Sequence, residues 1–164
     1  MARRSLAQSA LIEDEAPPEA VAAELVGLLP KLVRLVVAEM HAAPHTAGMT
    51  LAQFRVLARL SEREYRAAEL AAALEIGRPT LTVTADCLVR RALVDRVREL
   101  PGDRRGVLLR LTPTGRALYR ALEARAASAL ARLLGTASAT ERTALAIGLA
   151  ALQRGLQADR MVAR

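Results

Sequence analysis

The chain has 164 residues, 52% of them hydrophobic, which suits one domain with a sizeable core and excludes a disordered polymer. Its net charge is +7, and 23 of its 24 basic residues are Arg, so its partners are expected among polyanions such as nucleic acid or an anionic membrane surface. Phe54, Tyr65 and Tyr119 are the only aromatics and Cys87 the only cysteine, which excludes both a base-stacking platform for single strands and an intrachain disulfide. The excess of Arg, Ala and Leu also fits a GC-rich coding bias.

Residues 1–17 read as a flexible N-terminal arm ending at Pro17-Pro18. From Glu19 to about His41, Val21, Leu25, Leu28, Leu32, Val36 and Met40 recur at helical spacing. Leu29, Leu35 and Val37 widen the stripe, so this helix is expected to bury more than one face. Pro30 inside it predicts a kink or a break, because proline removes a backbone bond and clashes with the preceding turn. Pro44 and Gly48 end the segment, and Thr50-Leu51-Ala52-Gln53 is a capping box opening a helix that buries Phe54, Leu57 and Leu60. A short helix, Ala67–Leu74, follows. The turn Ile76-Gly77-Arg78 leads into a helix from Pro79 to about Arg91.

The period then becomes extended. Val94–Arg98 and Gly106–Leu111 flank the charged turn Leu100–Arg105, a β-hairpin pattern. Thr112-Pro113 starts a helix to about Leu134, stopped by Gly135. Ser138-Ala139-Thr140-Glu141 is a second capping box. The last helix it opens carries Leu145, Leu149, Leu152 and Leu156 on one face.

Helix, helix, turn, helix and hairpin in that order is a winged helix-turn-helix, mainly α with a small β-hairpin. On the helix at 79–91, Leu81, Ala85 and Leu88 share a core-facing side. Val83, Thr80, Cys87 and Arg90 fall opposite, with Thr82 and Asp86 on the flanks. Short hydroxyls and Arg there suit phosphates and base edges, and Val83 suits a thymine methyl. Segment 94–112 carries five Arg (96, 98, 104, 105, 110) against Asp95, Glu99 and Asp103. Arg104 and Arg105 project from the hairpin tip, where a narrow minor groove would attract them. The DNA-contacting set is therefore Arg78, Thr80, Thr82, Val83, Arg90, Arg104 and Arg105. An ordinary amphipathic helix beside a soluble charged turn would share much of this pattern.

The stretch Leu51–Leu118 resembles the multiple-antibiotic-resistance regulator (MarR) family of bacterial repressors. The resemblance lies in Leu51–Leu57, Glu69-Leu70-Ala71, Leu88–Val94, the wing Pro101–Gly106, and Leu111–Gly115. It implies a single MarR-like domain at 18–164. Within it, 18–42 and 113–158 would be dimerisation helices and 50–112 the DNA-binding lobe. It further implies a homodimer on inverted half-sites of double-stranded DNA, a wing braced by Asp103, and Arg105 entering the minor groove. A small aromatic or phenolic ligand would bind beside the first helices, bordered by Met40, His41, Met49 and Arg55. The chain departs from the family pattern at Val83, where Arg is frequent, at Ala92, where Gly is usual, and at Pro30.

Other chemistries have little to stand on. His41 and His45 are four apart, but Pro44 spoils the helix, so no metal is expected. Cys87 reads as a passive thiol: redox-sensing relatives carry their cysteine near the first helix, which has none here. Two His and one Cys, with no Gly-rich phosphate loop, leave no catalytic site or cofactor. The start of the chain is too polar for a signal peptide, and Glu24, Lys31, Arg34 and Glu39 interrupt the longest apolar run. The expected compartment is the cytoplasm, with no membrane contact. The alternative is a basic amphipathic protein on a membrane surface, or a protein-interaction module with a winged helix that does not bind DNA.

Overall fold

The computed structural model describes residues 16–42, 48–98 and 107–162. Among them run six helices: α1 (Pro18–His41), α2 (Leu51–Glu62), α3 (Ala67–Ala73), α4 (Arg78–Arg90), α5 (Pro113–Leu134) and α6 (Ala139–Val162). Three short strands complete the fold: β1 (Tyr65–Arg66), β2 (Val94–Arg98) and β3 (Val107–Leu111). The expected mainly helical winged helix-turn-helix is the observed fold.

The caps act where the sequence places them. Thr50 Oγ1 accepts from the Gln53 amide at 3.2 Å, and the Gln53 side chain accepts from the Thr50 amide at 3.1 Å. Ser138 and Glu141 repeat this reciprocal bond at the start of α6, at 3.2 and 2.7 Å. That bond holds the Glu141 carboxyl below its ordinary value. Thr112 caps α5 through the Gly115 amide at 2.9 Å. Each satisfies amides that a helix leaves without an internal partner.

Pro30 does not break α1, which runs unbroken through it. The carbonyl of Val26, which loses its helical partner, belongs to a residue that is 64% exposed and so open to solvent, which lowers the cost of the missing N–H. Gly135 follows α5 with a φ of −63°, so the stop does not use glycine's left-handed freedom.

The sheet is antiparallel with order β1-β3-β2. Val94 pairs with Leu111 and Arg98 with Val107 in the hairpin. On the other edge of β3, Tyr65 pairs with Leu109 and Arg66 with Leu108. The third strand was not expected.

One core joins the lobe. Val56, Leu57 and Leu60 of α2, Leu70 of α3, Leu81, Ala85 and Leu88 of α4, and Leu109 of β3 are all buried together. Met40 of α1 and Leu122 of α5 enter the same cluster, tying the terminal helices to it. Phe54, expected as core, is only half-buried, with its ring 5.7 Å from that of Tyr119 on α5. Burial raises the Tyr119 phenol above its ordinary value. Along α1 and α5, Glu39 takes Arg132 at 2.9 Å and Arg125 at 3.4 Å.

Candidate nucleic-acid interface

Helix α4 is positioned from three sides. Its inner face, Leu81, Thr84, Ala85 and Leu88, is buried. Thr84 is a polar member of that face, and its hydroxyl is satisfied by the Thr80 carbonyl at 2.8 Å. Pro79 sits in the first turn, where its missing N–H costs nothing, and Gly77 is the N-cap. The outer residues Pro79, Thr80, Thr82, Val83 and Arg90 are exposed, as the periodicity requires.

Cys87 departs from the expected open face. It is half-buried, and Gln53 Nε2 donates to its Sγ at 3.1 Å. The reason is the neighbour: α2 runs along that flank of α4, and Gln53, 7% exposed, both closes the capping box and reaches the thiol. Asp86, on the opposite flank, is ion-paired with Arg96 of β2. The pair joins the helix to the root of the hairpin.

Between α4, the start of α3 and the sheet lies an open cleft of about 550 Å³. Arg66, Arg78 and Arg96 line it, together with Thr82, Glu69 and Val107. Glu69 is held by Arg63 at 3.6 Å. Arg96 is committed to Asp86, so the charge that this cleft turns toward phosphates centres on Arg78, exposed at the start of the helix, with Arg66 beside it. Arg78 was anticipated; Arg66 and Arg96 were not. Arg96 was visible only as one of the hairpin's charges, and Arg66 carried no signal because β1 was missed.

The turn from α4 into β2 is strained and stitched. Ala92 has φ 55°, the left-handed region that favours glycine. Its carbonyl accepts the Thr112 hydroxyl at 2.8 Å, and the Leu93 carbonyl accepts the Thr112 amide at 3.1 Å. Gly115 abuts the same carbonyl so closely that a Cβ there would lie 2.0 Å from the Leu93 oxygen. These contacts fix α4, the wing and α5 relative to one another.

The wing-tip residues Asp103, Arg104 and Arg105 lie outside the described residues, as does His45. The four expected ligand-pocket residues are found in different settings. Met40 and Met49 are both 1% exposed, within the core. His41 Nε2 is 3.3 Å from the Met49 carbonyl, bridging the end of α1 to the start of α2. Arg55 points to the end of α3, where it donates to the Leu74 carbonyl at 2.8 Å. Among the described residues, no three His, Cys, Asp or Glu side chains cluster as a metal site would require. No described helix is long and apolar enough to cross a membrane.

The model of the MarR family matches residues 47–106, from just before α2 to just before β3. Solved structures extend the match to nearly the whole chain. The chain is similar to RV1404 from Mycobacterium tuberculosis, with 26% identity over 86% of this chain and 95% of that one and a TM-score of 0.72. It is also similar to a MarR family protein from Bacillus stearothermophilus, at 26% identity, 87% and 99% coverage and a TM-score of 0.71. Residues 47–106 thus match the MarR family, and the chain as a whole shares the fold of solved proteins of that family. Its fold is the winged helix-turn-helix of those transcription regulators. A mutant MarR from E. coli complexed with operator DNA matches with 25% identity, covering 80% of this chain and 92% of that one, with a TM-score of 0.59. Among curated proteins no sequence matches.

Proposed function

We propose that this MarR-like chain is a cytoplasmic, homodimeric repressor that binds an inverted-repeat operator in duplex DNA and is released by a small-molecule ligand. The observation that carries DNA binding is the exposed outer face of α4 set beside Arg78 and Arg66 of the cleft. A helix of that kind fills a major groove while the flanking cations take the phosphates. The E. coli MarR bound to operator DNA has the same fold, which supports the reading.

Dimerisation is supported by apolar surface that a single chain leaves uncovered. Every residue of α6 from Ala139 to Asp159 is exposed, including Leu145, Ile147, Leu149, Leu152 and Leu156. Val21, Val26, Leu28, Leu29 and Val33 of α1 are exposed as well. Apolar faces of this extent are stabilised when a second copy covers them. Residues 18–42 and 113–158 are the proposed dimerisation helices. A small aromatic or phenolic effector would act at the seam of α1 and α2, beside Met40 where His41 meets Met49; Arg55, committed to the Leu74 carbonyl, lies apart from that seam.

The test combines sedimentation with fluorescence anisotropy on labelled duplex. A dimer at micromolar concentration is expected, with affinity for duplex that falls steeply as salt rises. A monomer refutes the interlocked architecture, and no binding at low salt refutes the DNA reading.

A further inference from the structure

We propose that the reading surface of α4 selects A·T pairs through thymine methyl groups, with Val83 as the residue that sets this preference. The inference rests on the DNA-binding reading above and specifies what that surface recognises. Val83 is 70% exposed, more than any other large hydrophobic side chain among the described residues. Single exposed apolar side chains are common and by themselves mean little. What distinguishes Val83 is the chemistry around it.

At 100° per residue, the direction opposite Leu81, Thr84, Ala85 and Leu88 passes through Pro79, Val83 and Asp86, and reaches Arg90 in the last turn. Pro79 and Val83 carry no side-chain donor. Thr82, on the flank, donates its hydroxyl to the Arg78 carbonyl at 2.9 Å, which leaves its methyl group and lone pairs for a ligand. Asp86 is an acceptor, already paired with Arg96. Thr80, exposed on the other flank, adds a methyl group and a hydroxyl. The centre of the surface therefore presents aliphatic groups, with the threonine oxygens on its flanks as acceptors. The guanidinium groups sit at its edges: Arg78 in the cleft beside the sheet, Arg90 at the end of the helix.

Guanine shows two acceptors to the major groove and needs a donor against them. Buried against Val83, those acceptors would lose water and gain nothing. An A·T pair shows a thymine methyl, which an aliphatic side chain covers well, and an adenine amino group, which suits an acceptor. The match is to methyl-bearing A·T steps at the centre of each half-site, with guanine disfavoured there.

The experiment begins with wild-type protein and a random duplex library. The selected duplex is remade with deoxyuridine in place of each thymine in turn, which removes one methyl and alters nothing else in the groove. At one thymine in each half-site, binding should weaken about fourfold, the worth of one buried methyl group. Replacing both should weaken it on the order of fifteenfold. With Val83→Ala protein, the thymine-to-uracil ratio at that position should approach one. Equal binding of every uracil duplex by the wild type overturns the proposal. So does selection of a guanine at the centre of each half-site whose N7 methylation blocks binding. If Val83→Ala does not fold, the wild-type uracil series still decides. Absence of binding to any duplex at low salt overturns the DNA reading itself, so the two failures are distinguishable.

Discussion

Replacing Gly115 by Ala should destabilise the protein, although alanine is the better helix former. Gly115 is the third residue of α5, where propensity alone favours Ala by about 1 kcal/mol. The added Cβ, however, would lie 2.0 Å from the Leu93 oxygen and 2.8 Å from its carbon. Backbone would have to part by roughly 1.4 Å to restore ordinary contact near 3.4 Å. That movement strains the Thr112 amide bond to Leu93, the Thr112 hydroxyl bond to Ala92 and the Gly115 cap bond. Each is worth about 1 kcal/mol, and overpacking adds about 1–3 kcal/mol. After the propensity gain, the net cost is about 3–5 kcal/mol if all three bonds are lost. For a chain of this size that lowers Tm by on the order of 10 °C. Calorimetry or urea unfolding at one fixed protein concentration measures it. A Tm unchanged within about 2 °C, or raised, would refute the close approach of α5 to the α4–β2 turn.

Ala92→Gly should act in the opposite direction. It relieves the left-handed conformation and, after the added freedom of the unfolded chain, stabilises by about 0.5–1 kcal/mol, read as a higher urea midpoint with an unchanged slope. Arg105→Ala should weaken binding to operator and to random duplex alike, and reduce the salt slope by about two for a dimer. An unchanged slope would mean that the wing does not grip DNA. The Glu141 carboxyl is held below its ordinary value of 4.5 by Ser138, so its contribution is present at neutral pH and disappears as pH falls through the lowered value. Amides at the start of α6 should exchange faster in acid, and Glu141→Gln should remove that dependence.

Helix ends were legible because capping is a local matter: Thr50 with Gln53, and Ser138 with Glu141, find partners three residues away whatever the rest of the chain does. The hairpin was legible through its change of period and its turn-rich centre. β1 was not, since two residues cannot display a period; Tyr65 and Arg66 become a strand only because β3 offers them an edge. The inner face of α4 followed from spacing, whereas Cys87 was misplaced because a helical wheel does not say which helix lies alongside. Arg66 and Arg96 are far apart in sequence and meet in one cleft through sheet pairing. Arg55 shows the same limit: a long side chain on α2 ends at the Leu74 carbonyl, a partner no local pattern announces.

The order β1-β3-β2 has a mechanical consequence. A hairpin attached only through its own two ends could swing at its root. Here β3 is clasped on both edges, by β2 on one and by Tyr65 and Arg66 on the other. Those two residues lead directly into α3, so the root of the wing and the bracing helix form one lever. A force on the wing reaches α3 without passing through the loop. If the proposed dimer forms, a displacement of the wing would then move each lobe as one piece, changing the distance between the two reading helices rather than the shape of either.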